Sequence, residues 1–590
     1  MPNFRRLAAE GHSATLTAFA PLISPILWTS AATGAAPDVH GVLDFQEVDP
    51  KTGQKVPISG STRQVPAIWN VASAAGRKVG VVGWWATHPA EEVNGFFVSD
   101  RVTPLLFPRA STSGAVYPVS LAEGIERARS RQEAISDTEL AQYVRLSAEE
   151  IARARVTGHR ETPAVALAEI LGATRVAQRI ARDLYDRNLP DLFLFYLAGT
   201  DEIGHVFAQY TPPKLLCASE EDLARYGEVV AKYYGLVDRL LGQWMRRAEE
   251  DGATLLVHSD HGFHWGAGRP CGLPSEGWNT AAFWHRPEGV FVAWGARVGP
   301  GRSPKPVTLF DMAPTVAALL GIAADPGMRG GLLRSAFPGV PPPARQDVFS
   351  RAAVRRVAAQ PVTEAEAAEY ARKLMALGYI SGAETRAVAA TGEDRPGRTE
   401  GAWNNLGIYL RETRRDFARA AEAFRKALEV RPDYPTAMFN LAILDRLRGD
   451  HAAAEQWLLR ALESGFPDPE GTLLGWAVED LGKGRVAASE KLLSWGVARY
   501  PASEKLAQQL AFVRFQRKDC RGAREALAVF ENRSREPDTL NSLALYESCL
   551  GDRQKAIRLL ERSLAAHPDQ PGVIDSLGRL RADPGSSKQE

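Results

Sequence analysis

Two stretches decide the fold: Phe193-Leu-Phe-Tyr-Leu-Ala-Gly-Thr-Asp201-Glu-Ile-Gly-His205 and Thr254-Leu-Leu-Val-His-Ser-Asp260-His261-Gly262. Each is a short apolar run that stops at an Asp and a His. An α/β sheet delivers charged side chains to the crevice at its carboxyl edge in this way. Two carboxylates and two imidazoles suit a borderline metal, and two half-sites suggest a two-metal centre for phosphoryl or sulfuryl chemistry. Asp201 and His205 are four apart, so a helix starting after the strand would put both on one face. Asp260 and His261 are adjacent, as on a tight turn, and can face different partners.

Working outward, Lys78–Trp85, Leu192–Leu197, Thr254–Val257 and Gly289–Trp294 are further continuous apolar runs. Such runs fit a buried, largely parallel sheet. Residues 120–190 are charged, Ala-rich and helical, an expected insertion over the sheet. Pro338-Gly-Val-Pro-Pro-Pro343 is a break, and residues 341–400 read as a helical and then loop-like connector. The start, Met1-Pro-Asn-Phe-Arg-Arg, reads as a helix already under way.

The bulk numbers agree with a soluble, multi-domain chain. Its 590 residues exceed one ordinary domain, and its 45% hydrophobic and 24% charged content is globular. A net charge of +1 without long single-sign runs argues against nucleic acid or an anionic membrane as partner. No segment approaches the ~20 apolar residues of a membrane helix. The four cysteines, Cys217, Cys271, Cys520 and Cys549, form no CxxC pair and indicate neither a zinc knuckle nor a disulfide scaffold. They leave the compartment open. As written the chain reads as cytoplasmic, whereas a longer N-terminus could carry a signal peptide or an anchor.

From about residue 401 the pattern is helical and it repeats. Trp403, Leu406, Gly407, Ala420, Phe424, Ala427 and Pro432 resemble the tetratricopeptide pattern. Asn440, Leu441, Ala442, Gly449, Asp450, Ala454, Ala461 and Pro467 repeat it, as do Leu540, Leu543, Ala544, Tyr546, Gly551, Asp552, Ala556, Leu560 and Pro568. Two weaker copies fill 468–537. The expectation is an all-α tetratricopeptide solenoid over 401–580 with a disordered tail at 581–590. Its concave face implies an unidentified protein or peptide partner.

Residues 1–335 resemble the alkaline phosphatase superfamily, most closely its type I phosphodiesterase / nucleotide pyrophosphatase branch. The resemblance rests on Pro21-Leu-Ile-Ser24-Pro25-Ile-Leu-Trp28-Thr-Ser-Ala-Ala-Thr33-Gly34, Pro37-Asp-Val-His40-Gly41, Asp201-x-x-x-His205 and Ser259-Asp260-His261-Gly262. His285-Arg-Pro-Glu-Gly289, Asp311-Met-Ala-Pro314-Thr315 and Leu319-Leu-Gly321 complete it. It implies an alkaline-phosphatase-like α/β domain over residues 1–340, with a mostly parallel sheet and flanking helices. It also implies two divalent metal ions, zinc or alternatively manganese, and a phosphate-ester substrate. Asp201, His205 and His285 would hold one ion; Asp260, His261 and one more Asp would hold the other. Ser24 falls at the nucleophile position. His258 and His264 flank the ligand pair as residues behind it or in the pocket, and His264 is the alternative to His285 as ligand. His40 reads as structural.

The chain departs from that pattern twice. The resemblance implies a first strand ending in Asp-Gly, yet Glu10 is the only acidic residue before Ser24. The first strand and its ligand are therefore expected upstream of Met1. Phe45 stands where nucleotide pyrophosphatases place an Asn, which weakens a nucleotide substrate. Three readings follow: a metal-dependent phosphodiesterase or pyrophosphatase, a phosphomonoesterase or sulfatase of the same chemistry, and an inactive hydrolase domain serving as a tetratricopeptide scaffold. Neither Ser24-Pro25-Ile-Leu-Trp28 nor Cys271-Gly-Leu-Pro-Ser carries the Arg of a sulfatase motif.

Overall fold

The computed structural model describes residues 1–102, 112–130, 135–156, 162–269, 281–387 and 397–582. Most of the expected tail, Cys271 and most of the loop from Thr391 lie outside the described residues. The chain divides into two compact units, Met1–Ser464 and Gly465–Glu590.

In the first unit the strands used below are β1 (His12–Thr17), β2 (Val79–Val82), β3 (Gly95–Val98), β4 (Val116–Tyr117), β5 (Leu192–Phe195), β6 (Thr254–His258), β7 (Glu288–Gly295), β8 (Gly301–Arg302) and β9 (Val307–Thr308). They form two sheets. One has the order β4-β3-β2-β5, with β2 parallel to both β3 and β5. The other has the order β8-β1-β7-β6, with β9 also on β1. Here β7 is antiparallel to both neighbours, so the parallel arrangement expected from the apolar runs holds for β2, β3 and β5 and not for β6 and β7. The apolar-run reading passes over β1 because His-Ser-Ala-Thr-Leu-Thr alternates, with every second residue buried.

β5 and β6 each close their own sheet, and although apolar, both are only half-buried along their length. The helices used below begin with α1 (Pro2–Glu10), α2 (Ser24–Thr33) and α3 (Pro163–Asn188). Next come α4 (Gly199–Phe207), α5 (Val229–Glu250), α6 (Met312–Leu320) and α7 (Glu364–Ala376). α5 lays Trp244 on Phe193 and Phe195 of β5 and packs Leu241 and Met245 with Leu255 and Val257 of β6. On the other side Trp28 of α2 touches both Tyr196, just after β5, and His258, at the end of β6. The two sheets are thus held by the same pair of helices. The segment 120–190 holds short helices and the 26-residue α3.

The region read as a connector is part of the core. α7 buries Tyr370, Ala371 and Leu374, and Tyr379 and Ile380 follow them into the same cluster as Leu16, Ile26 and Phe45. The helix α8 (Glu400–Tyr409) and its partner α9 (Phe417–Val430) pack Leu406, Tyr409 and Phe424 with Ala36 and Leu43. The first compact unit runs to Ser464, and α8 and α9 lie within it with their apolar face on Ala36 and Leu43.

The second unit is a run of antiparallel helix pairs: Pro469–Gly482 with Val486–Arg499, Glu504–Gln516 with Cys520–Ala526, and Pro537–Cys549 with Arg553–Ala566, followed by Pro571–Ala582. Cys520 and Cys549 are joined by a disulfide, which the spacing of the cysteines did not indicate. Among the described residues no helix is long and apolar enough to cross a membrane.

Candidate metal centre

The centre is assembled by chain reversals at the carboxyl ends of β5 and β6. After β5 the chain turns into α4, whose first turn carries Asp201 and whose last carries His205. Gly199 is required at this start, because a Cβ there would collide with the Tyr233 hydroxyl. Along α4 the i,i+4 spacing brings Asp201 Oδ2 to 3.5 Å from His205 Nε2. After β6 the tight turn presents Asp260 and His261, with Asp260 Oδ2 at 3.6 Å from His261 Nε2. His285 comes from the short ladder in which His285 and Arg286 pair with Phe263 and Gly262.

Three imidazoles converge on Asp201. His285 Nε2 is 3.1 Å from His205 Nε2, and Asp201 Oδ1 is 3.8 Å from His285 Nε2 and 3.7 Å from His261 Nε2. The His261 and His285 rings stack with centroids 3.6 Å apart. His285 Nδ1 donates to the Leu22 carbonyl at 3.0 Å, and His261 Nδ1 lies 3.2 Å from the Gly262 carbonyl. With those N–H groups spent on the backbone, both Nε2 atoms turn lone pairs toward the carboxylates. Asp201 Oδ1 and Asp260 Oδ2 are buried without a hydrogen-bond partner. Acceptors facing acceptors in a buried site fit a divalent cation, and ligand atoms around a tetrahedral zinc would stand about 3.3 Å apart, given Zn–N of about 2.0–2.1 Å. Among the described residues Asp201, His205 and His285 are the cluster whose ligand atoms all lie within 4.8 Å of one another.

The protonation pattern follows from burial and proximity. Burial opposes ionisation of Asp201, but the adjacent His205 above all overcomes it and holds the carboxyl well below its usual range. Burial, then the neighbouring His261 and His205, push His285 well below the usual imidazole value, so it stays neutral. Burial raises Asp260, and the nearby Asp201 charge adds to it. His258 is pushed down to about 4 by burial.

Ser24 opens α2 and is 1% exposed, with its Oγ 3.5 Å from His261 Nε2. A helix N-terminus offers positive potential to an anion, although here Pro25 has no N–H and the Ile26 and Leu27 N–H groups both reach the Ile23 carbonyl. Pro25 suits the first turn, and Gly34 closes the helix in the left-handed conformation. Of the remaining residues singled out in the sequence, His258 sits behind the site between Trp28 and Trp84. His264 is half-buried, with its backbone N–H on the Trp284 carbonyl, and no imidazole contact brings it to Asp201. His40 is fully buried beside Ser30 at 2.9 Å, a structural pair.

One group in the centre carries no sequence signal. The Tyr379 hydroxyl donates to Asp201 Oδ2, and its ring packs on His205 with centroids 4.7 Å apart. Burial first, and the Asp201 charge next, push this phenol well above its usual value, so it remains a donor. Phe45 packs against Tyr379 at a tilt, with centroids 4.5 Å apart, and meets Trp85 at 5.6 Å.

Comparison with known families finds that residues 1–266 match the family described as type I phosphodiesterase / nucleotide pyrophosphatase, and residues 404–469 match a tetratricopeptide repeat family. The two matches lie in the order the sequence suggests, the phosphodiesterase match first and the tetratricopeptide match second. The first match contains Ser24, Asp201, His205, Asp260 and His261 and ends before His285. No curated protein matches the chain. Similar solved structures include the Cut9–Hcn1 hetero-tetramer of APC/C, at 19% identity over 31% of this chain and a TM-score of 0.18. The chain spans 36% of that structure's chain. Others are YrrB, described as a tetratricopeptide protein with an unusual peptide-binding site (16% identity, 30% of this chain and 90% of that chain, TM-score 0.22), and Pseudomonas aeruginosa PilF (19% identity, 32% and 93%, TM-score 0.20).

Proposed function

We propose that the phosphodiesterase-type part is a metal-dependent hydrolase of phosphate esters, of phosphodiesterase or pyrophosphatase type, with Ser24 as nucleophile. The observation that carries this is the position of the Ser24 hydroxyl, at the N-terminus of a buried helix and 3.5 Å from an imidazole of the Asp–His cluster. Asp201, His205 and His285 are the residues to hold one ion, and Asp260 and His261 face a second. Divalent ions bound there would lower the pKa of a neighbouring hydroxyl and neutralise charge on phosphoryl oxygens. The positive end of the α2 dipole favours the phosphoryl charge beside Ser24. Ser24 Oγ attacks phosphorus, the ester oxygen leaves in line, and water later cleaves the phosphoserine. Phe45 offers no donor to the substrate, so a nucleotide has no special support here.

Asp260 and His261 have no third ligand among the described residues. A carboxylate delivered between the ends of β5 and β6 would supply one. That shortfall favours the second reading, an inactive hydrolase domain acting as a scaffold, and the repeats then bind a protein partner in either case.

The deciding experiment uses the full chain with zinc and bis-p-nitrophenyl phosphate, with p-nitrophenyl phosphate and sulfate as competitors for the assignment. Turnover of the diester that falls at least 100-fold in Ser24→Ala and His285→Ala, and stays within a few-fold in His264→Ala, supports the proposal. Zinc binding without turnover of any ester favours the scaffold. Turnover that survives Ser24→Ala overturns the nucleophile.

A further inference from the structure

We propose that Tyr379 is a positioning residue of the metal centre: its hydroxyl engages Asp201 Oδ2 and so presents Oδ1 as the ligand atom. The inference rests on the metal-binding half of the reading above and concerns a residue beyond both matched regions.

The geometry begins with the end of α7. Gly378 takes a left-handed φ of +77°, its N–H reaches the Met375 carbonyl at 3.0 Å, and the Tyr379 N–H reaches the Leu374 carbonyl at 2.8 Å. These two bonds are the Schellman pattern, which closes a helix and turns the following residue back over the last turn. The turn sends Tyr379 inward and not on toward the repeats. Once inside, the ring packs between Phe45 and His205, with centroids 4.5 and 4.7 Å away. Its hydroxyl then has one place to go, Asp201 Oδ2.

That bond removes the ambiguity of a carboxylate with two equivalent oxygens. Oδ2, 3.5 Å from His205 Nε2, is occupied by a neutral donor, whereas Oδ1 has no hydrogen-bond partner and lies toward His261 and His285. A ligand carboxylate held through its other oxygen keeps its orientation before the ion arrives, and losing such a support typically costs about 10–100-fold in metal affinity. Gly378 and Tyr379 therefore make the segment after α7 part of the centre.

The test compares Tyr379→Phe with wild type in the full chain, by zinc titration against a chelating dye, with Tyr379→Leu as a second variant. Tyr379→Phe keeps the ring between Phe45 and His205 and removes the hydroxyl alone. The expected result is zinc affinity lowered about 10–100-fold with an unchanged melting temperature of the metal-free protein. Tyr379→Leu should lower both. The visible spectrum of the cobalt(II) protein should also change in Tyr379→Phe, which a packing role would not move. Zinc affinity within twofold of wild type in Tyr379→Phe overturns the proposal, as does a wild type that binds no zinc. Weakened zinc binding in a protein without ester turnover would leave Tyr379 in its role while the hydrolase reading fails.

Discussion

Lys55→Met should detach the first repeat from the α/β layers. Lys55 sits on the short strand Lys55–Pro57, and its Nζ is 2.6 Å from Glu400 Oε1 and 2.7 Å from the Glu384 carbonyl. Glu400 is the first residue of α8, and the two side chains are 2% and 1% exposed. Removing the cation leaves a buried carboxylate whose remaining counter-charge is Arg431 at 3.7 Å. Breaking a buried pair from one side costs about 3–5 kcal/mol, and Arg431 places this case near the lower figure. Replacing both partners, in Lys55→Met with Glu400→Leu, removes the uncompensated charge and should cost less than the single change. Urea unfolding supplies the free energies, and hydrogen exchange reports whether protection is lost first in 400–430. The reasoning fails if Lys55→Met lies within 1 kcal/mol of wild type, or if the double variant is as destabilised as the sum of the singles.

Two further expectations concern titration and cross-linking. Burial raises the Asp44 carboxyl to about 7, against the pull of its Thr399 hydrogen bond. A carboxyl with a raised folded pKa binds its proton more tightly folded than unfolded, so its contribution is lost as pH climbs from about 4 to about 7, by about 1.4 kcal/mol per unit. Asp44→Asn should therefore gain about 2 kcal/mol on wild type between pH 4.5 and 6.5 in urea unfolding, and a pH-independent difference would refute the assignment. In the second unit Cys520 and Cys549 are 29 residues apart, for which loop-closure entropy predicts about 3–4 kcal/mol. Replacing both by Ser should lower the melting transition of residues 465–582 and leave zinc binding by the first unit unchanged.

What the sequence makes legible here depends on the kind of signal. The ends of β5 and β6 are readable because a continuous apolar run that stops at Asp and His leaves little else for the chain to do. The i,i+4 spacing then fixes Asp201 and His205 on one face of α4 without further information. His285 has no such local signature: it opens the two-residue strand His285–Arg286 directly after Trp284, and it is identified through a resemblance and not through a pattern. Lys55 and Glu400 read as surface charges, since each has an ordinary polar neighbourhood and their pairing spans 345 residues.

Tyr379 shows where periodicity stops being informative. In Glu-Ala-Glu-Ala-Ala-Glu-Tyr370-Ala-Arg-Lys-Leu374-Met-Ala the four-residue spacing of Tyr370 and Leu374 marks an apolar face. It cannot say what that face meets. The Leu-Gly-Tyr that follows is a legible helix stop, and a stop after an amphipathic helix reads equally as the beginning of a linker. Only the core around Phe45 and Asp201 decides that the chain turns inward at Gly378. A boundary drawn at the proline-rich break near residue 340 would remove Tyr370 and Leu374 from the core and the one hydroxyl that holds Asp201 Oδ2. The core around Asp201 therefore extends, on physical grounds, past the last strand to the residues after α7.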